Sequence, residues 1–411
     1  MKIAPLRAYR YRIGQGRDVT SVVAPPYDQI SSETQERLHA MSPDNIVRVT
    51  YGRDEPGTDK YARARQVLDR WLADGAWQRE ARPAIYPYHQ TYTVHGLPIT
   101  RMGFIALGEL TEYAQKIVLP HENTHAGPKQ DRLRLLEATG ADIGLLFMLV
   151  GDSDGALLRA MTPTGPPVAE ATDLKGEQHR LWRVTDEAAI ATVDALMAAR
   201  SVIIADGHHR YETAVEYART HPDARDKLMA FFTLEAPGLT IFANHRLVHD
   251  VDGFAFHEFL QAARRWFDVT PLSDPVTFEP ANRSIGVVSG HEAFALDLRR
   301  EAFEWLPWPR GTSEAWRGLA VSILHEGLLR PLLGIDDARL DAMSNVDYTA
   351  DQAEAVRVAR EGRYQAAFLI APTMPDELAA VVHGGELMPQ KSTHFYPKLL
   401  DGLAFHRLGE A

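Results

Sequence analysis

The chain of 411 residues contains no cysteine. Disulfide bridges, thiolate nucleophiles and thiolate metal sites are therefore excluded. No uninterrupted apolar run reaches the length a membrane-spanning helix needs. The opening stretch, MKIAPLRAYRYRIG, lacks a long apolar core, so no secretory signal is expected there and a cytoplasmic protein is the default. Internal repeats and low-complexity tracts are missing as well. Basic excess is also lacking: 44 Lys and Arg face 55 Asp and Glu, a formal net charge of -11. A general nucleic-acid binder needs a basic face, so DNA is not an expected partner, although a local basic pocket is compatible with this balance. What the chain does have is an apolar fraction of 45%, enough for a sizeable core. The length favours two or three domains, or one large one.

The stretch Ser201–Ala214, SVIIADGHHRYETA, carries the most information. Val202-Ile203-Ile204-Ala205 suits a buried strand, and Asp206-Gly207 breaks it. Tyr211, Ala214, Val215 and Ala218 then recur at helical spacing. His208, His209 and Arg210 thus sit where a strand turns into a helix. The first N–H groups of a helix lack internal partners and its dipole is positive there. With an arginine and two imidazoles added, the turn is suited to phosphate. The plain alternative is that Asp206 only caps the helix.

Elsewhere, Val22–Ser32 holds a stiff Pro-Pro-Tyr-Asp turn, after which Ser31 or Ser32 opens a helix. Asn45–Tyr51 reads as a strand and Tyr61–Asp74 as an amphipathic helix. Ala84–Thr93 and Thr100–Leu110 read as a hairpin. Pro120–Asp131 is polar, with a helix over Leu133–Ala138 and a buried strand over Ile143–Val150. A strand over His179–Val184 and a helix over Glu187–Ala199 lead into the central motif. Phe231–Ala243 reads as a strand pair, and Thr349–Gln352 as a capping box before a helix. The Pro/Gly-rich stretch Pro163–Pro167 suggests a boundary that closes a first segment, 1–165.

Three motifs match by letter only. His121-Glu122-Asn123-Thr124-His125 has the H-E-x-x-H spacing of a zinc site, but Pro120 and Gly127-Pro128 leave little room for the helix it requires. Gly151-Asp152-Ser153-Asp154-Gly155 has the nucleophile-elbow spacing, yet two carboxylates flank the serine and a hairpin turn is the simpler reading. Gly385–Ser392 lacks a P-loop glycine, since Gln390 stands in its place, and Pro389 removes an amide. Lys391, Ser392, Thr393 and Lys398 still form a dense donor cluster, with Met388, Phe395 and Tyr396 to anchor it.

Together Ala24–Asp28, Asn45–Val49, HENTHAGPKQDR (His121–Arg132), ADGHHRYETA and MPQKSTHFYPK resemble the DUF1015 family of bacteria and archaea, in the family's order and across nearly the whole chain. One departure is at Gly144, near which that family carries a proline. The DGHHR box is in turn similar to the phosphate-binding box of the ParB/sulfiredoxin superfamily. It is nearest to the box of the free serine kinase branch, because sulfiredoxin chemistry needs a cysteine that this chain lacks. The resemblance implies a mixed α/β (α+β) fold: a ParB/sulfiredoxin-like core over 166–260 with extra N-terminal (1–165) and C-terminal (261–411) α/β segments. It implies phosphoryl transfer or hydrolysis on a small hydroxylated metabolite, serine or phosphoserine foremost, with ATP or ADP and magnesium.

Phosphoryl transfer asks for phosphate donors, a base and a metal ligand. Gly207, His208, His209 and Arg210 are expected to cradle phosphate, with one histidine moving a proton or accepting the phosphoryl group. Asp206 or Glu122 is the expected base or magnesium ligand. His121, Lys129, Arg132, Lys391, Ser392, Thr393 and Lys398 are candidates for the remaining substrate contacts, with Tyr27 and Asp28 within reach. Two rival classes stay open: a ParB-like nucleotide-dependent switch, and a metal-dependent hydrolase built on His121, His125, His208 and His209.

Overall fold

The computed structural model describes residues 1–12, 19–124 and 126–410, with the side chains of 126–128 outside the description. His125 lies outside the described residues. The chain divides into two compact units. Unit 1 comprises Met1–Pro120, Thr124–Thr240 and Pro397–Ala411; unit 2 comprises His121–Asn123 and Ile241–Tyr396. The fold class is mixed α/β, as the sequence suggests. The units cut across the segments 1–165, 166–260 and 261–411, because strands from the first two pair into one sheet.

That sheet contains β1 (Ile3–Ala4), β2 (Tyr86–Val94), β3 (Leu97–Glu109), β4 (Val118–Leu119), β5 (Leu146–Val150), β6 (Ala169–Thr172), β7 (Gln178–Leu181), β8 (Val202–Asp206) and β9 (Asp226–Thr233). Its order is β4-β8-β5-β9-β3-β2-β7-β6, with β1 added to β3. The β2–β3 hairpin turns at His95-Gly96, where both residues have positive φ, 49° and 78°. β5 and β9 run parallel, while β8 is antiparallel to β5. Wholly apolar strands such as Leu146–Val150 are buried along their full length, which explains why they read as continuous apolar runs rather than alternating ones. One core cluster joins Phe104, Leu146, Met148, Val202, Ile204, Met229 and Phe231 to Val193 and Met197.

Seven helices of unit 1 follow in chain order: α1 (Ser32–Met41), α2 (Val47–Thr50), α3 (Lys60–Ala73), α4 (Ala126–Thr139), α5 (Ala156–Ala160), α6 (Glu187–Ala198) and α7 (His208–Thr220). Ser31 caps α1 by accepting from the Thr34 amide at 3.1 Å. Asn45–Tyr51 is not a strand. The Asn45 carboxamide accepts from the Val47 amide at 2.9 Å and opens α2, whose Val47, Val49 and Thr50 are all buried. Helix α4 starts well before Leu133 and absorbs the second half of the polar stretch, while His121–Thr124, the first four residues of the H-E-x-x-H match, are not helical. After Gly151–Gly155 comes a short helix rather than a hairpin partner. Asp152 accepts from the Leu157 and Leu158 amides, both at 3.0 Å, and Ser153 stays exposed.

Unit 2 is built on a six-stranded antiparallel sheet, in the order Phe267–Pro271, Glu292–Leu298, Ser284–Ser289, Ala366–Leu369, His245–Val248, Val346–Thr349. The expected strand pair within Phe231–Ala243 is instead β9 and a separate strand, Thr240–Phe242, which belongs to a different sheet. The helix after Thr349 spans Gln352–Arg360; Asp351 rather than Thr349 caps it, accepting from the Glu354 amide at 3.1 Å.

Candidate functional site

The motif of Ser201–Ala214 folds as its residues dictate. β-Branched residues carry β8 through the sheet, and the ladder slips between Ile204 and Asp206, opposite Phe147. Such a bulge re-aims the strand end. Gly207 follows at φ 101°, a conformation L side chains rarely adopt. A Cβ there would stand 2.7 Å from Leu146 Cδ2 and 3.1 Å from the Arg210 Nε. Only glycine permits this turn, and no side chain caps the helix it opens. The start of α7 therefore presents its amides with the positive end of the dipole behind them.

Charged groups gather around it. Lys398 Nζ donates to Asp206 Oδ2 at 3.1 Å, and Arg210 Nη2 stands 3.7 Å from Asp206 Oδ1. Burial alone would push the Asp206 carboxyl up; Lys398, Arg210 and His208 outweigh it and hold the group ionised, well below the usual carboxylate range. Arg210 Nη1 donates to the Leu145 carbonyl at 2.6 Å, fixing the guanidinium under the turn. Arg132 stacks on the Tyr27 ring at 4.0 Å and donates to the Thr50 carbonyl at 2.9 Å. The Tyr27 hydroxyl is raised by burial, against the pull of Arg210. The Asp28 charge acts on Arg210 from the same side. Tyr27, Asp28, Arg132, Asp206, Gly207, His208, Arg210 and Lys398 are thus brought together in unit 1, with His209 between His208 and Arg210 in the first turn of α7.

Lys398 is positioned by a buried clamp. Arg101, fully buried, donates through Nε to Gln90 Oε1 at 3.1 Å and through Nη2 to the Pro397 carbonyl at 2.6 Å. Gln90 Nε2 donates to the Lys398 carbonyl at 2.9 Å.

The remaining candidates divide between the two units. Lys129 pairs with Glu212 at 2.7 Å, and Glu212 also accepts from Thr124 at 2.7 Å. Burial tends to raise Glu212, but Lys129 and Thr124 lower it overall. His121, Glu122, Lys391, Ser392 and Thr393 belong to unit 2. There His121 Nε2 meets Thr393 Oγ1 at 3.0 Å, and the Lys391 and Thr393 carbonyls both accept from Asn244 Nδ2 at 3.0 Å. Met388 and Phe395 are buried, so the segment is anchored as expected. Among the described residues no group of three His, Asp or Glu is arranged to hold a metal ion.

Lys227, Asp142 and Asp401 are not singled out by the sequence. Lys227 is buried beside Asp142, with which it pairs, and donates to the Gly144 carbonyl at 2.7 Å. Asp401 is also buried, and among the described residues its Oδ1 has no hydrogen-bond partner. Burial raises its carboxyl to about 7, despite Arg210, Arg132 and Lys227 nearby. A lysine next to the apolar run of β9 was the available signal for Lys227; Asp401, in Leu-Leu-Asp-Gly, reads as an ordinary turn.

No curated protein matches the chain. Solved structures give remote likenesses. A conserved hypothetical protein from Pyrococcus furiosus has 12% identity and a TM-score of 0.36, covering 69% of this chain and 90% of its own. A free serine kinase variant in complex with AMP has 11% identity and a TM-score of 0.38, covering 71% and 88%. SbnI from Staphylococcus aureus has 12% identity and a TM-score of 0.38, covering 72% and 85%. Residues 3–322 match the family described as "Protein of unknown function (DUF1015)", which covers most of the chain and bears out the motif resemblance. The chain belongs to the DUF1015 family.

Proposed function

We propose that unit 1 binds a phosphorylated small molecule at the start of α7 and transfers a phosphoryl group between a nucleotide and a small hydroxylated metabolite. The carrying observation is the meeting of Asp206, Arg210 and Lys398 at one glycine-capped strand-to-helix turn. Two cations face one carboxylate there, at the positive end of the helix dipole, while Arg132 is paired with Asp131. Phosphoryl transfer needs little covalent help from a protein; it needs placed positive charge. In this reading Gly207, His208 and His209 offer backbone amides, and Arg210 and Lys398 hold phosphate oxygens. Asp206, kept ionised, would hold a magnesium ion, which would neutralise phosphate charge when bound. The His208 or His209 imidazole would donate to a phosphate oxygen. Serine and phosphoserine are the pair to assay first, from the likeness of the DGHHR box.

Phosphorus NMR tests this. The protein is incubated with magnesium, ATP and serine, and separately with ADP and phosphoserine. Transfer in either direction, lost in Arg210→Ala and His209→Ala, is the expected result. Equal turnover in those variants and in the parent protein would remove the turn from the chemistry.

A further inference from the structure

Behind α7, within unit 1, lies a cavity of about 70 Å³. A buried water needs about 10–15 Å³ of such space, so it takes about five water-sized groups. Most of its wall is apolar: Leu135, Leu136, Ile143, Ala214 and Leu408 among others. One end is charged, and Arg210 belongs both to this end and to the phosphate turn. Asp401 lines the same end. Its backbone pairs with Ala24 in both directions, N–H to carbonyl at 2.9 and 3.1 Å, so the side chain is held in place. Gly144 leaves the space over it open. A Cβ at Gly144 would stand 3.9 Å from Asp401 Oδ1 and 3.1 Å from Arg210 Cδ.

We propose that this cavity is the acceptor pocket of the phosphoryl transfer, that it takes a short aliphatic alcohol group, and that Asp401 Oδ1 is the base. The assignment rests on the reading of the α7 turn as a phosphate site. A buried acceptor without a partner calls for a donor. Arg132, Arg210 and Lys227 stand near the carboxyl but are matched by Asp131, Asp206 and Asp142, so a hydroxyl donates the missing hydrogen bond without adding charge to a balanced set. The apolar wall suits carbon rather than the carboxylate and ammonium of an amino acid. In the step, the alcohol oxygen forms a bond to the γ-phosphorus of a nucleoside triphosphate. The bond from that phosphorus to the bridging oxygen breaks, and the diphosphate leaves with the electron pair. The alcohol proton passes to Asp401. A carboxyl lifted to about 7 accepts that proton near neutrality.

The test uses the full chain and two probes, butan-1-ol and serine. Saturation-transfer NMR without nucleotide reads occupancy; calorimetry reads ATP binding; phosphorus NMR with magnesium and ATP reads transfer. Butan-1-ol is expected to take saturation from the protein more strongly than serine, and Gly144→Ala to weaken it at least threefold. Asp401→Asn keeps an accepting oxygen but cannot take the proton. It should retain ATP affinity within about twofold and lose transfer to butan-1-ol by roughly 100-fold, the lower range for a general base. Serine favoured over butan-1-ol, or undiminished transfer in Asp401→Asn, overturns the assignment. Butan-1-ol binding that is sensitive to Gly144→Ala, in a protein that binds no ATP, upholds the pocket and its ligand and overturns the phosphate reading and the base role. ATP binding without butan-1-ol binding does the reverse for the pocket.

Discussion

Asp401→Asn should make the protein more stable, by an amount that depends on pH. The Asp401 carboxyl is raised by burial from the ordinary aspartate value near 4 to about 7. The folded protein therefore binds this proton more tightly than the unfolded chain, and each tenfold gain in proton affinity is worth about 1.36 kcal/mol. Below about pH 4 the group is protonated in both states and has no effect. As pH rises, the unfolded chain releases the proton first and folding stability falls. The loss is about 1.5 kcal/mol at pH 5 and levels off near 4 kcal/mol above pH 7. Asparagine cannot ionise, so the variant lacks this loss. Urea denaturation of both proteins at pH 4, 5, 6, 7 and 8 gives the difference directly. Any cost of burying the amide itself is a constant offset, and other titrating groups cancel. A difference that stays flat across this range would refute the reasoning. A stability gain combined with lost transfer is the pattern expected where a fold tolerates a costly group for its chemistry.

Gly207→Ala should cost about 1–3 kcal/mol in denaturation and distort the α7 turn, since φ is 101° and Leu146 blocks the added carbon; a neutral substitution would show that the turn is not as described. Lys398→Met removes one of two cations from a part-buried carboxylate and should cost about 1–3 kcal/mol, with ATP affinity falling at least tenfold by calorimetry; unchanged affinity would place phosphate elsewhere. Arg101→Met strips the donor from Gln90 and the Pro397 carbonyl and should destabilise by about 1–3 kcal/mol per orphaned acceptor in the same denaturation assay. Lys129→Ala breaks a half-exposed pair with Glu212, so less than about 1 kcal/mol and no change in ATP binding are expected; weakened binding would return Lys129 to the site.

How far the sequence was legible follows from the range of the forces involved. The β8–α7 turn was readable because its signals are local: a β-branched run, a glycine, then helical spacing. Asn45–Tyr51 misled for the same reason, since Val47, Val49 and Thr50 favour strands in isolation. A cap from Asn45 and complete burial override that preference. Lys398 could be singled out as a donor, but nothing local says that it faces Asp206 rather than Lys391 and Thr393, its neighbours in the motif. Asp401 was illegible. Its role depends on pairing with Ala24, on the gap left by Gly144 and on the side of Arg210, all distant in sequence.

The clamp of Arg101 and Gln90 on the carbonyls of Pro397 and Lys398 has a consequence for biosynthesis. Unit 1 is closed by residues 397–411, while unit 2 occupies the chain between. During translation the DGHHR turn emerges long before Lys398 and Asp401 do. Until then Arg101 and Gln90 lack the two carbonyls they hold, and Asp206 lacks its lysine. The charge pattern around Asp206 is completed only by the final part of the chain. A ribosome that stalls in the 380s would release a product that carries the motif but neither Lys398 nor Asp401.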